Sequence, residues 1–179
     1  MNLKASCKKA IAFLLACIML IATPLNVEAA SKTLKTLKGS KNSKLTEVPS
    51  YTKDELRLMS SIIFCEAGAE SYSGKLAVGI VIMNRVHSKL FPNTISGVVY
   101  EKGQFSPVRS GKLASVLKLY DRGKFTQKNH VDSIKAAREV LDGRTTVTKK
   151  GKKVSMKSYL FFSVYLKNCK FKLGNHMFR

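Results

Sequence analysis

The run Leu76-Ala77-Val78-Gly79-Ile80-Val81-Ile82-Met83 carries no polar side chain. A helix built from it is apolar on almost every face and has to be surrounded by other elements. Gly79 would let one of them approach closely, and Asn84 and Arg85 close the run. The flanking sequence supplies the partners. Thr52 and Glu55 have the spacing of a capping box, with Asp54 also in the first turn. Leu56, Met59, Ile62, Ile63 and Glu66 then fall on one helical face, and Gly68 marks the stop. Phe91-Pro92-Asn93-Thr94 is a turn, with Asn93 capping a short helix through Tyr100. Asn129 and Asp132 open a further helix, with Ile134, Ala137, Val140 and Leu141 on its inner face and Gly143 at its end. Residues 109–128 show no clear pattern. Two short strands flank Lys149, Lys150, Gly151, Lys152 and Lys153, which predicts a hairpin with a lysine-rich tip. Tyr159 to Tyr165 reads as a buried strand. Helices come first and strands last, so the predicted fold class is α+β, not a parallel α/β fold.

One residue of the first helix breaks the pattern. Glu66 lies on the core-facing stripe, yet it is an acid in the last turn. A carboxyl group sheltered from water holds its proton to higher pH. It can then donate that proton to a leaving oxygen near neutrality, which is the chemistry of glycosidic bond cleavage. Glu66 is therefore the candidate catalytic acid, with Glu70 in reserve, since Glu70 faces the same way only if the helix survives Gly68. Asn84, buried, needs hydrogen-bond partners; it either braces the loop carrying Glu66 and Glu70 or caps a carbonyl. The loop Glu101–Val108 is rich in Gly and Pro and is read as irregular. It offers the Gln104 amide to sugar hydroxyls and the Phe105 ring to a sugar face, or it is a plain surface loop with Phe105 in the core.

The N-terminus points to export. Lys4, Lys8 and Lys9 precede the apolar run Ala10–Ala22, and Val27-Glu28-Ala29 reads as a cleavage site. The apolar run is short for a bilayer span, so residues 1–29 are expected to be a signal peptide. The protein would then be secreted, without a membrane span. Cleavage leaves 150 of the 179 residues, enough for one domain with a real core. It also removes Cys7 and Cys17, leaving only Cys65 and Cys169. Those two and the scattered His87, His130 and His176 predict neither a disulfide framework nor a metal site, and no cofactor is expected.

The formal charge is +21, and +19 once Lys4, Lys8, Lys9 and Glu28 are gone. Such a chain is drawn to polyanions. Export makes anionic wall polymers the expected partners and nucleic acid an unlikely one. Lys32, Lys35, Lys38, Lys41 and Lys44 recur through a Ser-, Thr- and Asn-containing stretch, read as a flexible basic leader over residues 30–50. The catalytic region is placed at 51–179. Two rival readings compete: a cysteine hydrolase with Cys65 as nucleophile and His130 or His176 as base, and a polybasic wall binder without catalysis.

Four blocks of the chain, in order, resemble the SleB-type cell wall hydrolases, the family of spore cortex-lytic enzymes. They are Cys65-Glu66-Ala67-Gly68-Ala69-Glu70; Gly74–Gly79 running into Met83-Asn84-Arg85-Val86; Phe91–Ile95 through Gly103-Gln104-Phe105-Ser106-Pro107-Val108; and Gly174-Asn175-His176-Met177-Phe178. Together they cover nearly all of residues 52–179. The resemblance implies a two-lobed, lysozyme-like domain, helical first and then a small antiparallel β lobe. It implies lytic transglycosylase action on the β-1,4 bond between N-acetylmuramic acid and N-acetylglucosamine in peptidoglycan glycan strands, with Glu66 at the family's catalytic position. A lysozyme-type muramidase that uses water is the alternative. Substrate contacts are expected from Glu70, Asn84, Gln104, Phe105, Tyr159, Asn175 and His176. The chain departs from the family at Lys75, where many members have Gln, and at Phe161, where many have Tyr.

Overall fold

In the computed structural model, which describes residues 50–179, helices precede strands. The helices are α1 (Lys53–Ala67), α2 (Tyr72–Val86), α3 (Ile95–Tyr100), α4 (Ser106–Arg109), α5 (Lys112–Asp121) and α6 (Lys128–Leu141). The strands are β1 (Thr146–Lys149), β2 (Lys152–Ser155), β3 (Phe162–Ser163), β4 (Phe171–Leu173) and β5 (His176–Phe178). The expected α+β order is observed. The expected signal peptide, and the basic leader apart from Ser50, lie outside the described residues.

The capping box forms as its spacing predicts. Glu55 N–H donates to Thr52 Oγ1 (3.1 Å), and Thr52 N–H donates to Glu55 Oε2 (2.8 Å). Two orphan donors at the helix start are satisfied this way, a contribution of about 1 kcal/mol. Helix α2 begins at Tyr72, ahead of the apolar run, because Ser71 caps it by accepting from Gly74 N–H (3.3 Å). From Gly74 to Ile82 it is buried throughout, as an all-round apolar helix has to be. Helix α6 packs on both α1 and α2. The three meet at Gly79, where a methyl group would lie 2.9 Å from Ile63 Cδ1 and 3.2 Å from Val140 Cγ2. One core cluster joins α1 to α3, α5 and α6; a second joins α2 and α6 to the strands.

Five readings need correction. The short helix through Tyr100 is capped by Thr94, whose Oγ1 accepts from Gly97 N–H (3.0 Å), and not by Asn93. Tyr159–Tyr165 is not a buried strand. Its strand is confined to Phe162 and Ser163, extended by backbone bonds between Phe161 and Arg179, and Val164 and Tyr165 stand 68% and 76% exposed. The loop through Val108 is partly regular: Pro107 opens the single turn of α4, where its missing N–H leaves no bond unmade. The patternless stretch holds α5, whose buried face is only Leu113, Val116 and Leu117. Gly68 ends α1, but in the right-handed region (φ −56°) rather than the left-handed conformation of a glycine stop.

The hairpin β1–β2 forms as predicted, in the register Thr146↔Ser155 to Lys149↔Lys152. Strand β5 is central in the second sheet, with Phe178 opposite Phe162 of β3 and Phe171 of β4. From Gly143 to Arg179 the chain holds ten Lys and Arg residues and not one Asp or Glu.

Glu70 ties this sheet to the helices. Asn175 donates its side-chain amide to Glu70 Oε1 (2.8 Å) and its backbone N–H to Oε2 (3.3 Å). Gly174, at φ +58°, makes the turn that presents Asn175, and a methyl group there would overlap Glu70 Oε2. We expect Gly174→Ala to destabilise the domain by about 1–3 kcal/mol, through a strained backbone and the displaced carboxylate. Chemical denaturation reads this directly, and a change under about 0.5 kcal/mol would contradict the account.

Candidate active site

Helix α1 delivers Glu66 to a cleft of about 340 Å³ between the helices and the second sheet. Arg85, Gln104, Ser106 and Arg109 line its helical side, and Phe162, Ser163, Val164 and His176 its sheet side. Glu66 Oε1 is buried without a hydrogen-bond partner. Burial raises the Glu66 pKa above its usual 4.5, against the opposing pull of the nearby Lys112 and Arg85 charges. Two more orphaned groups lie among the lining residues: Arg85 Nη1 and His176 Nδ1. Buried polar atoms are nearly always paired, so three unpaired ones around a single cleft mark a place built for a polar ligand. Burial lowers the His176 pKa, the Glu70 charge opposing only in part.

Arg85 is held rigidly. Its Nε donates to Leu160 O (2.8 Å), and its guanidinium lies 5.0, 5.5 and 5.7 Å from the ring centroids of Phe91, Phe105 and Phe161. It lies within electrostatic reach of both Glu66 and Glu101. Among the described residues, Glu66 is the one carboxyl lining this cleft. A larger cavity of about 440 Å³, lined in part by Tyr51, Glu55, His87 and Arg144, does not include Glu66, and its Glu55 is engaged in the α1 capping box.

The cleft brings together Glu66, Gln104 and His176 from the expected set, and five others fall elsewhere. Glu70 clamps the β4–β5 turn through Asn175, which occupies both residues. The Asn84 amide donates to Met156 O (2.7 Å) and Tyr159 O (2.8 Å), so it pins the chain after β2 rather than the loop bearing Glu66. The Phe105 ring is 4% exposed, beneath Arg85 and near Phe162. Tyr159 packs its ring against Phe171 and Phe178. Arg85, Arg109 and Phe162 were missed as lining residues. Arg85 carried a readable signal, because an arginine closing an otherwise apolar helix is buried only with a purpose.

The geometry weighs against the cysteine reading. Cys65 is buried, free, and pushed up to about 11, so it holds no thiolate near neutral pH. His130 is stacked on Phe125 (4.3 Å between centroids), and its Nδ1 accepts from Gln127 N–H (3.2 Å), so it is packed as part of the core. Cys169 is free and exposed.

An acid at the end of a core helix, facing a small antiparallel sheet across a cleft, places this domain among the lysozyme-like folds. The chain belongs to the cell wall hydrolase family, whose model matches residues 69–179. That match begins just past Glu66, so the assignment of the acid rests on its geometry. The spore cortex-lytic enzyme of Bacillus cereus is 36% identical over 103 residues, covering 51% of this chain and 40% of that protein. The enzyme of the same name from Oceanobacillus iheyensis is 41% identical over 63 residues, covering 35% of this chain and 23% of that protein. The chain thus spans less than half the length of these relatives. The crystal structure of the catalytic domain of the Bacillus cereus SleB protein aligns with TM-score 0.53 at 26% identity, over 76% of this chain and 98% of that one. The catalytic domain of the germination-specific lytic transglycosylase SleB from Bacillus anthracis shares the fold, with TM-score 0.52 at 23% identity over 73% and 98%.

Proposed function

We propose that this protein cuts peptidoglycan glycan strands as a lytic transglycosylase, with Glu66 as the acid and then the base. The observation that carries the reading is the Glu66 carboxyl: buried at Oε1, unpartnered, raised in pKa, and facing an open cleft. In the first step the Glu66 O–H protonates the glycosidic oxygen, the C1–O bond breaks, and positive charge develops on the muramoyl ring. In the second step the Glu66 carboxylate takes the proton from the sugar's own 6-hydroxyl, whose oxygen bonds to C1. The product is a 1,6-anhydro ring, and Glu66 is again protonated. No water is consumed and no second carboxylate is needed, which fits a cleft lined by a single acid. Arg85 and Lys112 stand close enough to steady the carboxylate between the two steps.

The spore cortex is the proposed substrate layer, in keeping with the names of the relatives. Secretion is part of this proposal, supported by the signal-like pattern of residues 1–29. The basic leader and the lysine hairpin would add affinity for anionic wall polymers through charge alone. Digestion of purified cortex and vegetative peptidoglycan, with mass spectrometry of the fragments, tests the reading. Anhydro-ended muropeptides are expected. Reducing ends would instead mean hydrolysis by water, and intact strands would leave a wall binder.

A further inference from the structure

The last turn of α1 contains no basic residue of its own, although a helix C-terminus exposes unpaired carbonyls and favours cations. Two lysines from other helices reach it. From α2, Lys75, only 2% exposed, donates to Ala67 O (2.8 Å), Gly68 O (2.9 Å) and Glu70 O (2.8 Å). From α5, Lys112 donates to Cys65 O (3.0 Å). The carbonyls of Cys65 and Ala67 lie immediately on either side of Glu66, and those of Gly68 and Glu70 in the turn that follows. We propose that Lys75 and Lys112 are positioning residues, an imported cationic cap that holds the backbone around Glu66 and so keeps its carboxyl on the cleft.

The chemistry of Lys75 supports this. An ammonium has three N–H donors, and here all three are used. A buried ammonium is tolerable only when so bonded. The groups within electrostatic reach of it are Glu70, Asp132 and Lys128. No carboxylate oxygen accepts from it, so its bonding serves the turn rather than an ion pair. A glutamine amide offers two donors and no charge, so it could hold only part of the same turn. Lys112 is an exposed residue overall, yet its ammonium reaches the part-buried carbonyl just before Glu66. The charged and titratable groups facing Glu66 are Lys112 from α5, Arg85 from α2, Arg109 from α4, His176 from β5 and Cys65 on its own helix.

The inference rests on Glu66 being the acid, and the test separates the two. Lys112→Met, Lys75→Met, Lys75→Gln and Glu66→Gln are made in the full chain. kcat/KM on glycan strands is followed against pH, with melting temperature in parallel. Lys112→Met should fold like the wild type, since the side chain is exposed. Its alkaline limb, where Glu66 loses its proton, should move to higher pH because a cation favouring the carboxylate is gone. Lys75→Met should lose roughly tenfold or more in turnover through misplacement of the acid, and Lys75→Gln should recover part of it. An unmoved limb in Lys112→Met overturns the proposal, as does a Lys75→Gln protein no better than Lys75→Met. If Lys75→Met does not fold, the Lys112→Met limb decides alone. If Glu66→Gln keeps wild-type turnover, the acid assignment fails and the cap with it. If Glu66→Gln is inactive while the limb stays put, only the cap fails.

Discussion

Replacing Glu66 with Gln is expected to slow glycan cleavage by roughly 100- to 10,000-fold while leaving the protein at least as stable as the wild type. The amide keeps the shape of the side chain but has no acidic proton to transfer. The stability half of the expectation follows from the same burial. The ionised form of Glu66 is disfavoured in the fold, so its native pKa lies above the ordinary 4.5. Below that ordinary value both folded and unfolded chains hold the proton, and the group contributes nothing to the pH dependence. As pH climbs past it the unfolded chain releases the proton first. The wild type therefore loses stability relative to Glu66→Gln until the native pKa is passed, after which the gap is constant. Melting temperatures of the two proteins should converge in acid and diverge towards neutrality. Parallel curves, or an amide variant that still releases muropeptides, would overturn the assignment.

Phe178→Ala is expected to cost about 3–5 kcal/mol, enough to leave a domain of ordinary stability marginal. The ring is 0% exposed and sits at the crossing point of the second sheet, cross-strand from both Phe162 and Phe171. It also belongs to the cluster that fastens the sheet to Leu76 and Ile80 of α2. Truncation would leave a cavity that three short strands have little means to close. Two lining residues, Phe162 and His176, would lose their support with it. Urea unfolding should therefore show an earlier midpoint, and activity should fall with it. Phe178→Leu, which fills most of the space, should recover much of both. A Phe178→Ala protein with wild-type stability would mean that the sheet is held by the hairpin and backbone bonds instead.

The helical half was legible because its signals are local. Thr52 and Glu55 announce a start three residues apart, and the apolar run before Asn84 leaves no choice but burial. Glu66 was legible for the same reason, as one acid out of place in a periodic stripe. The sheet half resisted because its strands are two to four residues long. At that length alternation carries almost no information, and partner identity is settled by contacts far along the chain. Asn84 shows the limit well. Its need for partners was evident, but the partners are the carbonyls of Met156 and Tyr159, at the far end of the sequence. Arg85 was visible as the charge that closes the apolar run, yet only the fold sets it beside Glu66.

The stretch from Gly143 onward, with ten Lys and Arg residues and neither Asp nor Glu, bears on the wall attachment proposed above. If anionic wall polymers are its partners, this segment would be held to them by charge alone. That grip would loosen with added electrolyte, as the Debye length falls below its physiological value of about 8 Å.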